Sequence, residues 1–248
     1  MLSKRNKTIF ILLLAFVSIA ILFISFGRHQ TDNGLKIENR TSKSGHHYSI
    51  FYKGALVIDF AVTRPEPSNK QILLCIPAAF TDVQTLKIDG LYIDHGVVHH
   101  QHQINHSLGG GIKITNGECE IFPTNRGLLL NDSMIQILAA SKASCFQQIQ
   151  MIEKGIGATY KDIKLFQRRA LVKFKNKQTA IVESYEHISL SAFTEDLLEL
   201  GATDALYTDM GSYDEGWYKD PGNNKIVPIG RIKKETAKQS NWVIFKSK

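Results

Sequence analysis

Chemistry in this chain points first to Asp209. It stands where a short apolar run of strand type, Ala205-Leu206-Tyr207, gives out, with Gly211 and Ser212 behind it. A carboxylate at the carboxyl end of a buried strand, followed by a glycine turn, suits a catalytic or ligand-holding group. The other reading is a turn aspartate that only bonds backbone amides. A second cluster is DHGVVHHQHQINH, with His95, His99, His100, His102 and His106. On a strand His100 and His102 share a face and can ligate a metal together, with Asp94 or His106 helping. The competing reading is an exposed polar hairpin that happens to be rich in histidine.

The elements around Asp209 follow from pattern. Leu197, Leu198 and Leu200 give a helix an apolar side, Gly201 ends it, and Ser191 or Thr194 caps its start. Leu171–Phe174 and Thr179–Val182 flank Lys175-Asn176-Lys177 and read as a hairpin. Asn116-Gly117 is a strong hairpin turn into Cys119–Phe122, and Lys53-Gly54 a second hairpin signal within Tyr48–Phe60. Gln71–Ile76 is a buried strand ended by Pro77, Asn131 caps a helix to about Ala143, and Trp242–Phe245 is a closing strand. For Phe146–Ile152, strand and helix both fit. The Gly109–Gly111 run reads as a bulge or turn rather than a phosphate cradle.

The chain has 248 residues, a formal net charge of +7 and 43% hydrophobic residues, an ordinary globular composition. Basic residues show no basic helix and no basic-aromatic ladder, which argues against a nucleic-acid partner. The three cysteines, Cys75, Cys119 and Cys145, form no CxxC pair, so no structural zinc is expected. Cys75 lies in an apolar run and reads as a small core residue. Lys4, Arg5 and Lys7 precede an uncharged run from Thr8 to Gly27 that is long enough to cross a bilayer. The expectation is an uncleaved signal anchor over 1–28, with the N-terminus in the cytoplasm and the rest outside. Residues 29–45 read as a polar linker, and 46–248 as one α+β domain on a mixed β-sheet with a few helices.

The block from Arg169 to Trp217 resembles the phosphodiester glycosidase domain family. That family shows an Arg-Thr-Ala strand start, a hairpin ending in an Asp-Gly pair, a helix, a Gly-Ala turn and a strand ending in Asp-Gly-Gly-Gly-Ser. The matching residues here are Arg169-Ala170-Leu171, Val182-Glu183, Leu190–Leu200, Gly201-Ala202 and Ala205–Ser212. Upstream, Cys75–Phe80 resembles the family's Ile-Asn-Gly-Gly-Phe-Phe segment, and Gly111–Gly117 its Asn-Gly hairpin. Phe146-Gln147-Gln148 resembles a further family segment, and the likeness spans about residues 46–245. Pro77 replaces the usual Asn, Glu183 an Asp, and Met210 with Ser212 and Tyr213 the glycine-rich run.

The resemblance implies a hydrolase of sugar phosphodiesters or related envelope glycans, needing no cofactor. Its carboxylates would be Asp209 and Glu183, one as base or nucleophile and one as acid. Arg169 would supply the forked donor for phosphate. Arg168 and Arg169 project to opposite faces of a strand, so only one of them is expected in the site. Gly211 and Ser212 would let backbone amides approach an anionic oxygen, and Phe80 or Trp217 would stack on a sugar. The rival is a glycan- or envelope-binding protein that keeps the fold without turnover, and a third reading is a histidine-dependent metal-binding envelope protein.

Overall fold

A computed structural model describes residues 34–99, 103–161, 163–211, 214–230 and 236–248. The expected anchor over 1–28 lies outside them, and no helix among the described residues is long and apolar enough to cross a membrane. Alternating and fully apolar segments build three sheets. The first has seven strands in the order β1 (Lys36–Thr41), β2 (His47–Tyr52), β13 (Thr179–Ser184), β12 (Arg169–Phe174), β14 (Ala202–Tyr207), β10 (Gln150–Glu153) and β11 (Ile156–Gly157). The second runs β16 (Ile226–Ile229), β15 (Gly216–Lys219), β4 (Ile72–Pro77), β17 (Trp242–Lys246), β3 (Val57–Ala61). The third runs β6 (Val97–His99), β5 (Tyr92–Asp94), β9 (Ser144–Gln148), β7 (Gly110–Thr115), β8 (Glu118–Pro123). Every pairing between these strands is antiparallel, where a mixed sheet was expected. Two α-helices are described, α1 (Asp132–Ala140) and α2 (Leu190–Glu199), so the fold is mostly β.

The seven-stranded sheet is covered on both faces. Phe51, Leu171, Ile181 and Leu206 pack toward Phe60, Leu74, Phe146, Val243 and Phe245 of the other two sheets. Tyr48, Ile50, Val172 and Val182 pack on the other face against Phe193 and Leu197 of α2. Double coverage explains why β13 is buried at every position and reads as an unbroken apolar run up to its polar end. The Lys175-Asn176-Lys177 turn joins β12 to β13, with Lys177 at φ 66°. Asn116 and Gly117, at φ 53° and 78°, close β7 onto β8 as a primed turn does. The close approach of β14 explains Gly110 of β7, since a Cβ on it would fall 2.5 Å from Leu206 Cδ1.

Three sequence expectations change. Lys53-Gly54 does not close a hairpin, because β2 pairs with β13 while β3 joins β17 in another sheet. The 29–45 stretch contains β1, so folded structure begins before residue 46. Its polar residues hide it because β1 is an edge strand with one open side. Ser189, not Ser191 or Thr194, caps α2, its side chain accepting from the Ala192 amide at 3.1 Å.

Asp196 of α2 fastens the β1–β2 turn. Its carboxylate accepts from Ser44 Oγ at 2.6 Å and from the Tyr48 hydroxyl, and lies 2.7 Å from His46 Nδ1. Burial raises its pKa, but these three partners outweigh burial and hold the carboxyl below its ordinary range. Asp196→Ala is expected to lower the unfolding free energy by about 2–3 kcal/mol, since it strands the buried Tyr48 hydroxyl. Urea unfolding of the two proteins checks this.

Candidate active site

One rung of the seven-stranded sheet carries two of the candidate residues, Glu183 and Arg169. Cross-strand partners run Asn39↔Ser49, Ser49↔Glu183 and Glu183↔Arg169, across β1, β2, β13 and β12. Directly opposed residues project to the same face, so these four side chains form one polar file. Arg169 is 0% exposed and Glu183 6%. The guanidinium Nε donates to Glu183 Oε2, and both Nη atoms donate to the Asp214 carbonyl at 3.1 Å. Glu183 Oε1 accepts from Gln167 Nε2 at 3.0 Å and from the Gly230 amide at 3.3 Å. The ion pair is therefore built into the frame, with its fork turned to protein atoms.

Arg168 takes the opposite face, as alternation requires. It reaches the Ile188 and Lys164 carbonyls and the Tyr207 hydroxyl, with Phe166 5.2 Å below its charge.

Asp209 follows β14 and is 5% exposed. Its amide donates to the Ala78 carbonyl at 2.9 Å, and its Oδ2 accepts from the Thr81 amide at 3.1 Å. Burial pushes its carboxyl up to about 7, against the pull of the Thr81 amide, the Arg169 charge and the Gly211 amide. A carboxyl titrating there exchanges a proton near neutral pH, as a general acid or base must. Gly211 is exposed, and a Cβ on it would lie 3.7 Å from Asp209 Oδ1. Ser212, the other expected amide donor, lies outside the described residues.

Phe80 is half-buried, its ring centroid 6.1 Å from that of Tyr207. Trp217 is not at the site; it packs in the second sheet with Ile72, Cys75, Trp242 and Ile244. All three cysteines are buried and unpaired, and burial raises their thiols.

Several site-forming residues carried no sequence signal. Asn241 is wholly buried and clamps Ala79, accepting from its amide at 2.7 Å and donating to its carbonyl at 3.0 Å. It is a single polar residue before an apolar strand, so only the pairing of β17 with β4 reveals it. Gln167 and Tyr185 sit in loop sequence beside the predicted hairpin. Glu183 reaches a cavity of about 280 Å³, lined also by Gln167, Tyr185, Tyr218 and Gly230.

The histidines do other work. His95 Nδ1 lies 2.6 Å from Asp94 and Nε2 3.0 Å from Asp59, while Lys246 Nζ also reaches Asp59 at 2.6 Å. His99 stacks on Tyr92, and His106 Nδ1 meets the Arg126 carbonyl. His100 and His102 lie outside the described residues, among which no three metal-ligating side chains converge. With a carboxylate at each nitrogen, His95 fits as imidazolium, since both nitrogens then donate. Burial opposes that charge, but Asp94 and Asp59 outweigh it and raise the pKa. A raised histidine pKa stabilises fully below the unfolded value, about 6.5, and the stabilisation is lost as pH rises through the folded value. The stability difference between the native protein and His95→Gln is expected to shrink over that window in denaturant titrations at stepped pH.

No protein-family model and no curated protein matches the sequence. Solved structures do match. The zebrafish N-acetylglucosamine-1-phosphodiester alpha-N-acetylglucosaminidase catalytic domain, auto-inhibited by its pro-peptide, superposes with a TM-score of 0.57 at 11% identity, covering 89% of this chain and 86% of that one. A hypothetical protein from Synechocystis superposes with a TM-score of 0.55 at 11% identity, covering 86% of this chain and 62% of that one. At such identity the likeness concerns architecture: this chain has a fold similar to that of a phosphodiester glycosidase catalytic domain.

Proposed function

We propose that this protein is a membrane-anchored, outward-facing hydrolase of sugar phosphodiesters or related envelope glycans. One observation carries the reading: a buried carboxyl held near neutrality, Asp209, beside the Arg169–Glu183 pair in a phosphodiester glycosidase-like fold. In this reading Asp209 exchanges the proton as the glycosidic C–O bond breaks and water adds at the anomeric carbon. Glu183, fixed by Arg169, Gln167 and Gly230, keeps its negative charge facing the positive charge that develops on the sugar. Arg169 orients Glu183 and offsets the phosphate charge, the Gly211 amide borders the leaving phosphate, and Phe80 supplies an apolar wall. The Thr8–Gly27 run holds the domain on the outer side of the membrane, in the periplasm or at the cell surface.

The second reading, a glycan-binding protein without turnover, is favoured by the same hydrogen bonds. The Nε and both Nη atoms of Arg169 donate to protein atoms, and Asp209 is bonded to the backbone. An assay separates the two. The full-length protein in zwitterionic detergent is given a panel of sugar 1-phosphodiesters, and free sugar is measured beside Asp209→Asn. Release by the native protein alone is the expected result. Equal release by both would remove Asp209 from the chemistry, and none by either would reject the hydrolase.

A further inference from the structure

The polar file does not stop at the buried pair. From Arg169 and Glu183 it continues through half-buried Ser49 to Asn39, which is exposed at the sheet edge. At about 4.8 Å per strand the stretch of the file from Glu183 to Asn39 is about 10 Å long, more than one pyranose ring. Tyr185 stands over it, 49% exposed. Its hydroxyl lies 2.9 Å from Ser49 Oγ and 3.4 Å from Asn39 Oδ1, which fixes the ring in place. Tyr185 lines two cavities. One, of about 280 Å³, leads to Glu183, and the other, of about 440 Å³, is lined by Asn39, Arg40, Thr41, His47 and Glu186. Gln167 Oε1, in the wall of the first, is shielded from solvent and has no hydrogen-bond partner.

We infer that this file is the bed of an extended glycan of two or more rings, with Tyr185 as the stacking platform between a subsite at Glu183 and a second subsite at Asn39–His47. A half-exposed aromatic face with hydroxyl and amide groups around it suits a sugar ring, apolar on its faces and polar at its rim. The outer cavity mixes signs: His47 meets Glu186 at 2.7 Å and Arg40 meets Glu38 at 2.8 Å. It therefore fits an uncharged outer sugar rather than a second phosphate. The inference rests on the reading of Glu183 as part of a sugar site, and it extends that site beyond a single residue of sugar.

Full-length protein in zwitterionic detergent, carrying Asp209→Asn so that nothing is consumed, is applied to an array of immobilised mono- to hexasaccharides. The expected result is retention on chains of two or more rings with little on monosaccharides. Tyr185→Ala is expected to weaken that retention roughly tenfold and Tyr185→Phe to leave most of it, since the ring is what stacks. Retention independent of chain length, Tyr185→Ala retention equal to the parent's, or no retention on any glycan would each overturn the inference. Retention that follows chain length and Tyr185, with no phosphodiester cleaved by the native protein, would sink the hydrolase and leave the extended bed standing.

Discussion

Asp209→Asn is expected to cost about 10²- to 10⁴-fold in turnover while making the fold more stable at pH 8. Both effects come from one cause. Burial raises this carboxyl to about 7, so the folded state prefers it protonated. A carboxyl whose folded pKa is raised stabilises fully below the unfolded value, about 3.9, and the stabilisation is lost as pH rises through 7. Across that interval the cost reaches about 4 kcal/mol, at about 1.4 kcal/mol per decade of proton affinity. Asparagine keeps the acceptor for the Thr81 amide and carries no charge, so it removes the penalty together with the proton transfer. Its unfolding free energy should therefore be flatter between pH 4 and 7 than that of the native protein. The pH–rate profile of the native protein should bend near 7. A variant that is inactive but no more stable at pH 8 would mean that Asp209 is already charged without cost.

Arg169→Met is expected to destabilise the protein by about 3–5 kcal/mol. The guanidinium is fully enclosed, and removing it leaves Glu183 as a buried carboxylate without its cation and the Asp214 carbonyl without its two donors. The sharper expectation concerns the double variant Arg169→Met, Glu183→Leu. Exchanging both charges for apolar side chains removes the orphaned carboxylate as well, so part of the lost stability should return. Guanidinium-chloride unfolding of the four proteins measures the coupling directly. If the double variant is as weak as the sum of the singles, the pair is not acting as a unit.

Local chemistry made part of this legible in sequence. Asn116-Gly117 demands two left-handed residues and a hairpin, and Gly201, at φ 97°, ends α2 where the leucine pattern stops. Alternation alone separated Arg168 from Arg169, and the structure sends them to opposite faces. Asp209 was visible because a carboxylate behind a strand and before a glycine stands out. Partners distant in sequence were not visible. Nothing around Lys53-Gly54 says that the chain there leaves one sheet for another, since the same residues would close a hairpin. Lys36–Thr41 looks like linker because an edge strand needs little apolar surface. Asn241 and Gln167 gain meaning only from pairings with residues far away in the chain.

The place of β17 has a consequence for how the chain comes to its native state. Trp242–Lys246 is inserted between β3 and β4, two strands made long before it, and Asn241 just ahead of it clamps Ala79 near Asp209. A nascent polypeptide therefore holds two early strands apart until residue 246 is available. Ordering of the second sheet becomes a late, slow event dominated by distant pairings.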